Sequence, residues 1–170
     1  MGNPIFIRRS IRKYSTKPVT NDKILQLLKA AMAAPSARDN KEWCFYVIRD
    51  KKLLSAFVKV HSGAAMIIDA QCGILVCADS KLQEEIGYMA LDCAAATQNI
   101  LLEATALGIG SCWIGVYPRT ERMTFFKEQL QLPDQIIPMT LISIGSPGEE
   151  KPPRNAFFES KIQWIDGLTQ

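Results

Sequence analysis

A chain of 170 residues, 48% hydrophobic and 22% charged, has enough apolar material to bury one sizeable core and too few charges to read as disordered. The formal net charge of +3 is too small to mark a nucleic-acid binder, and a single histidine, His61, excludes His-rich metal centres and argues against a Ser-His-Asp triad. Five cysteines without a C-x-x-C pair sit in apolar stretches, and with no signal peptide read ahead of them they fit small buried hydrophobes in a reducing cytoplasm.

Residues 4 to 9, PIFIRR, read as a short helix or an extended lead-in to Ser10-Ile11-Arg12-Lys13-Tyr14. Basic residues crowd this end: Arg8, Arg9, Arg12, Lys13 and Lys17 all precede the first acid, Asp22. From Asn21 to Ala33 the apolar positions Ile24, Leu27, Leu28 and Ala31 recur at i, i+3, i+4 and i+7, which predicts an amphipathic helix. Pro35 disfavours a helical Ala34 and ends it. The loop PSARDNKE leads to a predicted strand, Trp43 to Ile48, and then to a helix, Lys51 to Val60, with Leu53, Leu54, Phe57 and Val58 on one side. Gly73 to Ala78 is a short unbroken apolar run, the pattern of a strand covered on both faces.

The longest helix is expected between Ser80 and Gly108. Ser80 with Gln83 three residues on fits a capping box, and Gly108 fits the left-handed residue that closes a helix. Glu85, Asp92, Asn99 and Glu103 share one narrow face, and most of the remaining circumference is apolar. Such a helix is buried against more than one neighbour, and its alanines add the option of packing against a second copy. Asp92, Thr97, Gln98 and Asn99 break the run short of a membrane span. Ser111 to Ile114 follow as a short strand between Gly110 and Gly115, glycines that permit positive φ and close approach of the backbone to something flat or bulky. Thr120 to Leu130 predicts a helix, Pro138 to Ile144 a strand, and GSPGEEKPPRN a loop. The tail, Phe157 to Trp164, carries three aromatics and reads either as a terminal helix on the core or as an arm on a partner. No repeat, low-complexity tract or linker divides the chain, so one domain over residues 1–170 is expected. The mixed order of elements points to an α+β fold.

Nucleotide signatures based on glycine loops are missing. Gly108 and Gly110 begin a G-x-G, but Trp113 stands at the third glycine and the order is helix-to-strand. No Walker lysine follows a glycine run. A bound phosphate would have to be held by side chains, with Arg8, Arg9 and Arg12 near the front and Lys151 and Arg154 near the back as candidates. The alternative is a solvated basic surface.

Five blocks in order carry a resemblance: Arg8-Arg9-Ser10-Ile11-Arg12-Lys13-Tyr14; Ala34-Pro35-Ser36-Ala37; Gly108 to Gly115; Ile144-Gly145-Ser146-Pro147 with Lys151 and Arg154; and Phe158 to Trp164. Together they resemble the FMN-dependent nitroreductase family, over nearly the whole chain. The resemblance implies an α+β fold with a mixed sheet flanked by helices around the long helix, in an intertwined homodimer with FMN at the subunit interface. It assigns Arg8, Arg9, Ser10 and Arg12 to the phosphate and part of the flavin, and Arg154 with Lys151 to the same phosphate. Pro35, Ser36, Ala37 and Asp39 would reach that flavin from the partner subunit, and the backbone of Cys112, Trp113, Ile114 and Gly115 would run along its ring. The family commonly reads P-S-A-x-N-x-Q-P-W where this chain has PSARDNKEW, so Asp39 replaces an Asn and Lys41-Glu42 replace Gln-Pro. An ionised Asp accepts hydrogen bonds but cannot donate them.

The activity implied is an NADH- or NADPH-dependent oxidoreductase that reduces nitroaromatics, quinones or similar electron-poor acceptors in a ping-pong cycle through flavin N5. The flavin carries the chemistry, so no catalytic side chain or metal is expected. Cys112 reads as packing rather than nucleophile, and His61 as structural. Alternatives are a specialised reductive enzyme of the same fold, an FMN-binding sensor or store with little turnover, and a basic dimeric module with no cofactor. Neither nucleic acid nor membrane is an expected partner.

Overall fold

The computed structural model describes residues 2–154 and 156–165. The short helix α1 (Pro4–Ile7) starts on a proline, where a missing N–H costs nothing, and Asn3 caps it by accepting the Ile5 N–H at 3.0 Å. Thr20 caps α2 (Asn21–Met32), which turns Ile24, Leu27 and Ala31 inward. A 3-10 turn, Ala37–Asp39, leads to strand β1 (Trp43–Ile48). Asp50 then caps α3 (Lys51–Val60) through the Lys52 and Leu53 N–H groups. A second 3-10 stretch, Ser62–Ile67, precedes β2 (Cys72–Asp79). The chain continues through α4 (Ile86–Ala106), β3 (Gly110–Gly115), α5 (Thr120–Gln129) and β4 (Ile136–Gly145).

The strands form one sheet in the order β1-β2-β4-β3, each pair antiparallel, with Leu75 opposite Leu141 and Cys112 opposite Ser143. A parallel bridge from Ser10 to Ser111 covers the outer edge of β3, where the Ile11 N–H donates to the Ser111 carbonyl at 3.0 Å. The two central strands are buried on both faces, as the apolar run in β2 predicts. Helices α2 and α4 build one core against Ile74, Val76 and Ile142, and α3 and α5 build another against Leu75 and Leu141 on the opposite face. The α+β architecture expected from the element order is the one observed.

One boundary needs correcting. The long helix starts at Ile86, with Glu85 at its N-cap, rather than at Ser80. The capping-box residues serve a turn instead: Asp79 Oδ1 accepts the Lys81 N–H at 2.9 Å, and Gln83 Oε1 accepts the Glu85 N–H at 3.1 Å. At the other end Gly108 does close the helix, with φ of 68°. The helix is 21 residues long and packs on both α2 and the sheet, yet Ile86, Tyr88 and Leu91 stay exposed on its outer face. Beyond β4 the described residues form only a short 3-10 turn, Glu159–Lys161, in place of a terminal helix on the core. Phe157, Trp164 and Ile165 there are three-quarters exposed or more. No helix among the described residues is long and apolar enough to cross a membrane.

Candidate active site

The basic residues near the two ends of the sequence meet in space. Arg8, Arg9, Ser10, Arg12, Lys151 and Arg154 line one cleft of about 120 Å³, next to the start of β3. Pairing between distant segments builds it. The 10–15 segment lies along β3 and the loop after β4, through the Ser10–Ser111 bridge and a second bridge between Tyr14 and Pro147. The Ser15 N–H donates to the Ser146 carbonyl at 2.9 Å, and the Gly148 N–H to the Lys13 carbonyl at 2.8 Å. Tyr14 anchors this crossing, with its hydroxyl 2.6 Å from Ser143 Oγ and donating to the Ile11 carbonyl at 2.8 Å. Burial pushes the phenol well above its ordinary range. Gly145 leaves the room the ring needs, since a Cβ there would lie 2.7 Å from Tyr14 Cδ1.

The charges divide into tethered and free. Lys151 donates to the Ser10 carbonyl at 2.9 Å and pairs with Glu149 at 2.8 Å. Glu149 also accepts the Arg12 backbone N–H at 2.6 Å, and these contacts, Lys151 foremost, hold its carboxyl down at about 2. Arg9 donates to the Pro152 carbonyl. Arg8, Arg12 and Arg154 make no ion pair among the described residues. Three guanidinium groups lining one small space repel one another, and a multiply charged anion relieves that repulsion. An apolar groove of about 380 Å³, lined by Ile5, Phe6, Ala156 and Phe157, opens from the same Arg8 and Arg154.

The remaining predicted site residues lie elsewhere in the chain. Cys112 and Ile114 are buried in β3, while Trp113 is 37% exposed, and a Cβ on Gly115 would meet nothing within 4 Å. Gly110 and Gly115 are strand residues, and Gly108 is the glycine of this stretch that takes a positive φ. Pro35, Ser36, Ala37 and Asp39 form a turn after α2, and none of them lines the cleft of its own chain. That turn is strained: Arg38, Asp39 and Lys41 have φ of 56°, 58° and 52°. Ser36 Oγ accepts the Lys41 N–H at 2.9 Å, and Asp92 Oδ2 on α4 accepts the Ala37 N–H at 2.7 Å. Asp39 pairs with Lys41 at 2.9 Å, so the two departures from the expected motif answer each other.

Comparison with known proteins follows the same lines. The sequence profile described as the Nitroreductase family matches residues 5–80 and 55–146. The chain belongs to the nitroreductase family. An Archaeoglobus fulgidus relative, provisionally named NADH dehydrogenase/NAD(P)H nitroreductase, is 45% identical over 86% of this chain and 85% of its own. A crystal structure from Parabacteroides distasonis, under the same provisional name, superposes with a TM-score of 0.91 at 36% identity, covering 97% of this chain and 96% of that one. A Desulfovibrio desulfuricans protein provisionally named a nitroreductase, solved in complex with FMN, gives a TM-score of 0.82 at 26% identity, with 95% of each chain covered.

Against the other nitroreductase features, the cysteines and the histidine play structural parts. All five cysteines are free. Cys112 is 1% exposed, with its thiol donating to the Trp113 carbonyl at 3.7 Å, the setting of a packed thiol. Burial raises the Cys72 thiol to about 11. His61 caps the end of α3 and sits edge-on to Phe57, and desolvation lowers its basicity. The sequence alone assigns no supporting role to Glu149, Asp92 or Glu42. Glu149 lies in the GSPGEEKPPRN loop beside Glu150, and nothing in the sequence sets the two apart. Asp92 was visible as a polar break in an apolar helix, a signal that it needed a buried partner.

Proposed function

We propose that the chain is an FMN-dependent NAD(P)H oxidoreductase that reduces nitroaromatic, quinone-like or other electron-poor acceptors. The observation that carries this reading is the convergence of Arg8, Arg9, Arg12, Lys151 and Arg154 on one phosphate-sized cleft at the head of β3. The residues present fit FMN: free guanidinium groups suit a phosphate monoester, and the open space beside Gly115 leaves the β3 backbone reachable by a flat ring. FMN, when bound, would supply the redox chemistry, taking hydride from NADH or NADPH and passing electrons to the acceptor in a ping-pong cycle.

This chain's own part is binding and orientation. Arg8, Arg12 and Arg154 would neutralise the phosphate, while Glu149 and Lys151 fix the loop that presents Arg154. Backbone groups of Cys112 to Gly115 would face the ring and tune it. The second half of each site would come from a partner copy, with Ser36, Ala37 and Asp39 approaching across a homodimer interface. The exposed Ile86, Tyr88 and Leu91 on α4 and the aromatic tail support that assembly, because apolar groups this exposed are otherwise left in water. Free cysteines throughout support a reducing compartment such as the cytoplasm.

The test is the spectrum and turnover of the purified protein. A flavin absorbance, FMN affinity well above riboflavin affinity, and steady NAD(P)H oxidation with a quinone or nitroaromatic are the expected results. A colourless protein that takes up neither flavin on reconstitution would overturn the proposal.

A further inference from the structure

Glu42 presents a problem in the fold that its neighbours solve in one way. Its side chain is 1% exposed, and neither carboxyl oxygen has a hydrogen-bond donor. An unpaired ionised carboxylate at that depth is very costly. The group it lies against is the carboxyl of Asp92, itself 9% exposed. Two carboxyls in contact can share a bond only if one keeps its proton and donates to the other. Burial, and then Asp92, push Glu42 upward, which makes it the donor. Asp92 therefore accepts twice, from Glu42 and from the Ala37 backbone N–H at 2.7 Å. That second bond pins a turn in which Arg38, Asp39 and Lys41 all sit at left-handed φ, a conformation that persists only when its surroundings hold it.

We propose that Asp92, with Glu42 behind it as hydrogen-bond donor, is the positioning residue for the Ser36–Asp39 turn and so for the flavin that the turn meets. This rests on the FMN reading above. Neither carboxyl touches the cofactor; both act through the Ala37 N–H. The pair faces Cys93 on α4, whose thiol burial pushes well above its ordinary range, and no ion pair among the described residues neutralises it. The nearby Lys41 is taken by Asp39 at the surface. The arrangement is thus sensitive to one proton. Below the ordinary carboxyl range Glu42 is protonated in folded and unfolded chains alike, and the clamp is whole. As pH rises through the raised value of the folded protein, Glu42 ionises against Asp92, and the turn loses its support.

The test uses the FMN-loaded protein and reads the FMN dissociation constant from pH 5 to 9 for the wild type, Asp92→Ala, Asp92→Asn, Glu42→Ala and Glu42→Gln. Asp92→Ala and Glu42→Ala should each weaken FMN on the order of tenfold. Glu42→Gln replaces the O–H by an N–H donor that does not titrate, so its FMN affinity relative to the wild type should rise severalfold from the acid to the alkaline end of the range. Comparing the two proteins at each pH cancels titration of the FMN phosphate. Asp92→Asn keeps an acceptor for Ala37 but can donate to an ionised Glu42, so its affinity should change least with pH. If the alanine variants do not fold, Glu42→Gln and Asp92→Asn decide alone. A constant ratio of wild-type to Glu42→Gln affinity across this range overturns the inference while leaving the FMN assignment standing. A wild type that binds no FMN at any pH overturns both.

Discussion

The cleft between Arg8 and Arg154 and the turn from Ser36 to Asp39 are proposed to meet the same cofactor, yet they keep their shapes by opposite means. The cleft is held by backbone pairing and by exposed or half-exposed charge, with Glu149 and Lys151 as its one ion pair among the described residues. The turn is held from behind by the buried Asp92 carboxyl, which accepts the Ala37 N–H, and on its outer side by Ser36 Oγ accepting the Lys41 N–H, around residues at left-handed φ. A site that must attract an anion can leave its charges in water, where repulsion among them is screened. A site that must place a few atoms against a ring needs support that water cannot loosen.

The sharpest way to break this comparison is to strip the cleft. Arg12→Ala should weaken FMN at least about tenfold, and Arg12→Ala with Arg154→Ala more than about a hundredfold, because charge-assisted bonds contribute about 1.5–3 kcal/mol each. Riboflavin affinity should barely change in either, measured by flavin fluorescence on titration. Arg12 is a clean probe, since its backbone N–H, not its side chain, holds Glu149. Equal loss for both flavins would mean that the cleft shapes the protein rather than binding phosphate.

Whether the two regions come from different chains can be read by complementation. Neither an Arg12→Ala homodimer nor a bulky Ser36→Trp homodimer should bind FMN well. Refolded together, about half the dimers are mixed and each carries one intact site, so roughly a quarter of wild-type binding should return. Mixing that restores nothing, with heterodimers shown to form, would place both regions in one chain's site.

Smaller effects sharpen the picture. Gly115→Ala adds a methyl where the chain leaves open space, so the melting temperature of the cofactor-free protein should hold while FMN affinity falls severalfold. Asp39→Asn should raise the flavin reduction potential, but by less than about 20 mV, because Lys41 already balances the carboxylate in an exposed pair. The least effect is expected from Glu149→Gln. Glu149 sits at about 2 in the folded chain against an ordinary 4.5, so its stabilising contribution is whole above the ordinary value and lost as pH falls towards 2. The gap in melting temperature between wild type and Glu149→Gln should therefore be widest at neutral pH and close over that interval.

The difference between the regions also explains what the sequence revealed. Strand Trp43–Ile48 and helix Lys51–Val60 were legible to the residue, because composition and period both change at their ends. The arginines were legible as site candidates because charge clusters near both ends stood out against a nearly neutral chain. What escaped was support acting across the chain. Ser80 and Gln83 satisfy a capping pattern locally, but Asp79 offers the same backbone a turn, and nothing in the local residues ranks the two. Glu42 is the last residue of the predicted loop PSARDNKE, directly before strand residue Trp43. Its burial follows from where α4 lies, and that helix packs there for apolar reasons of its own.

One feature of the cleft bears on how a newly made chain matures. Arg12 meets Glu149, Ser10 meets Lys151 and Arg9 meets Pro152, partners 137 to 143 positions apart. A ribosome releases the first of each pair long before it has translated the second. A fragment ending before Lys151 would keep most of its core and have no complete grip on a phosphate. Because a ligand stabilises only the form that binds it, the cofactor would discriminate finished chains from interrupted ones, leaving prematurely terminated products without its protection from proteolysis.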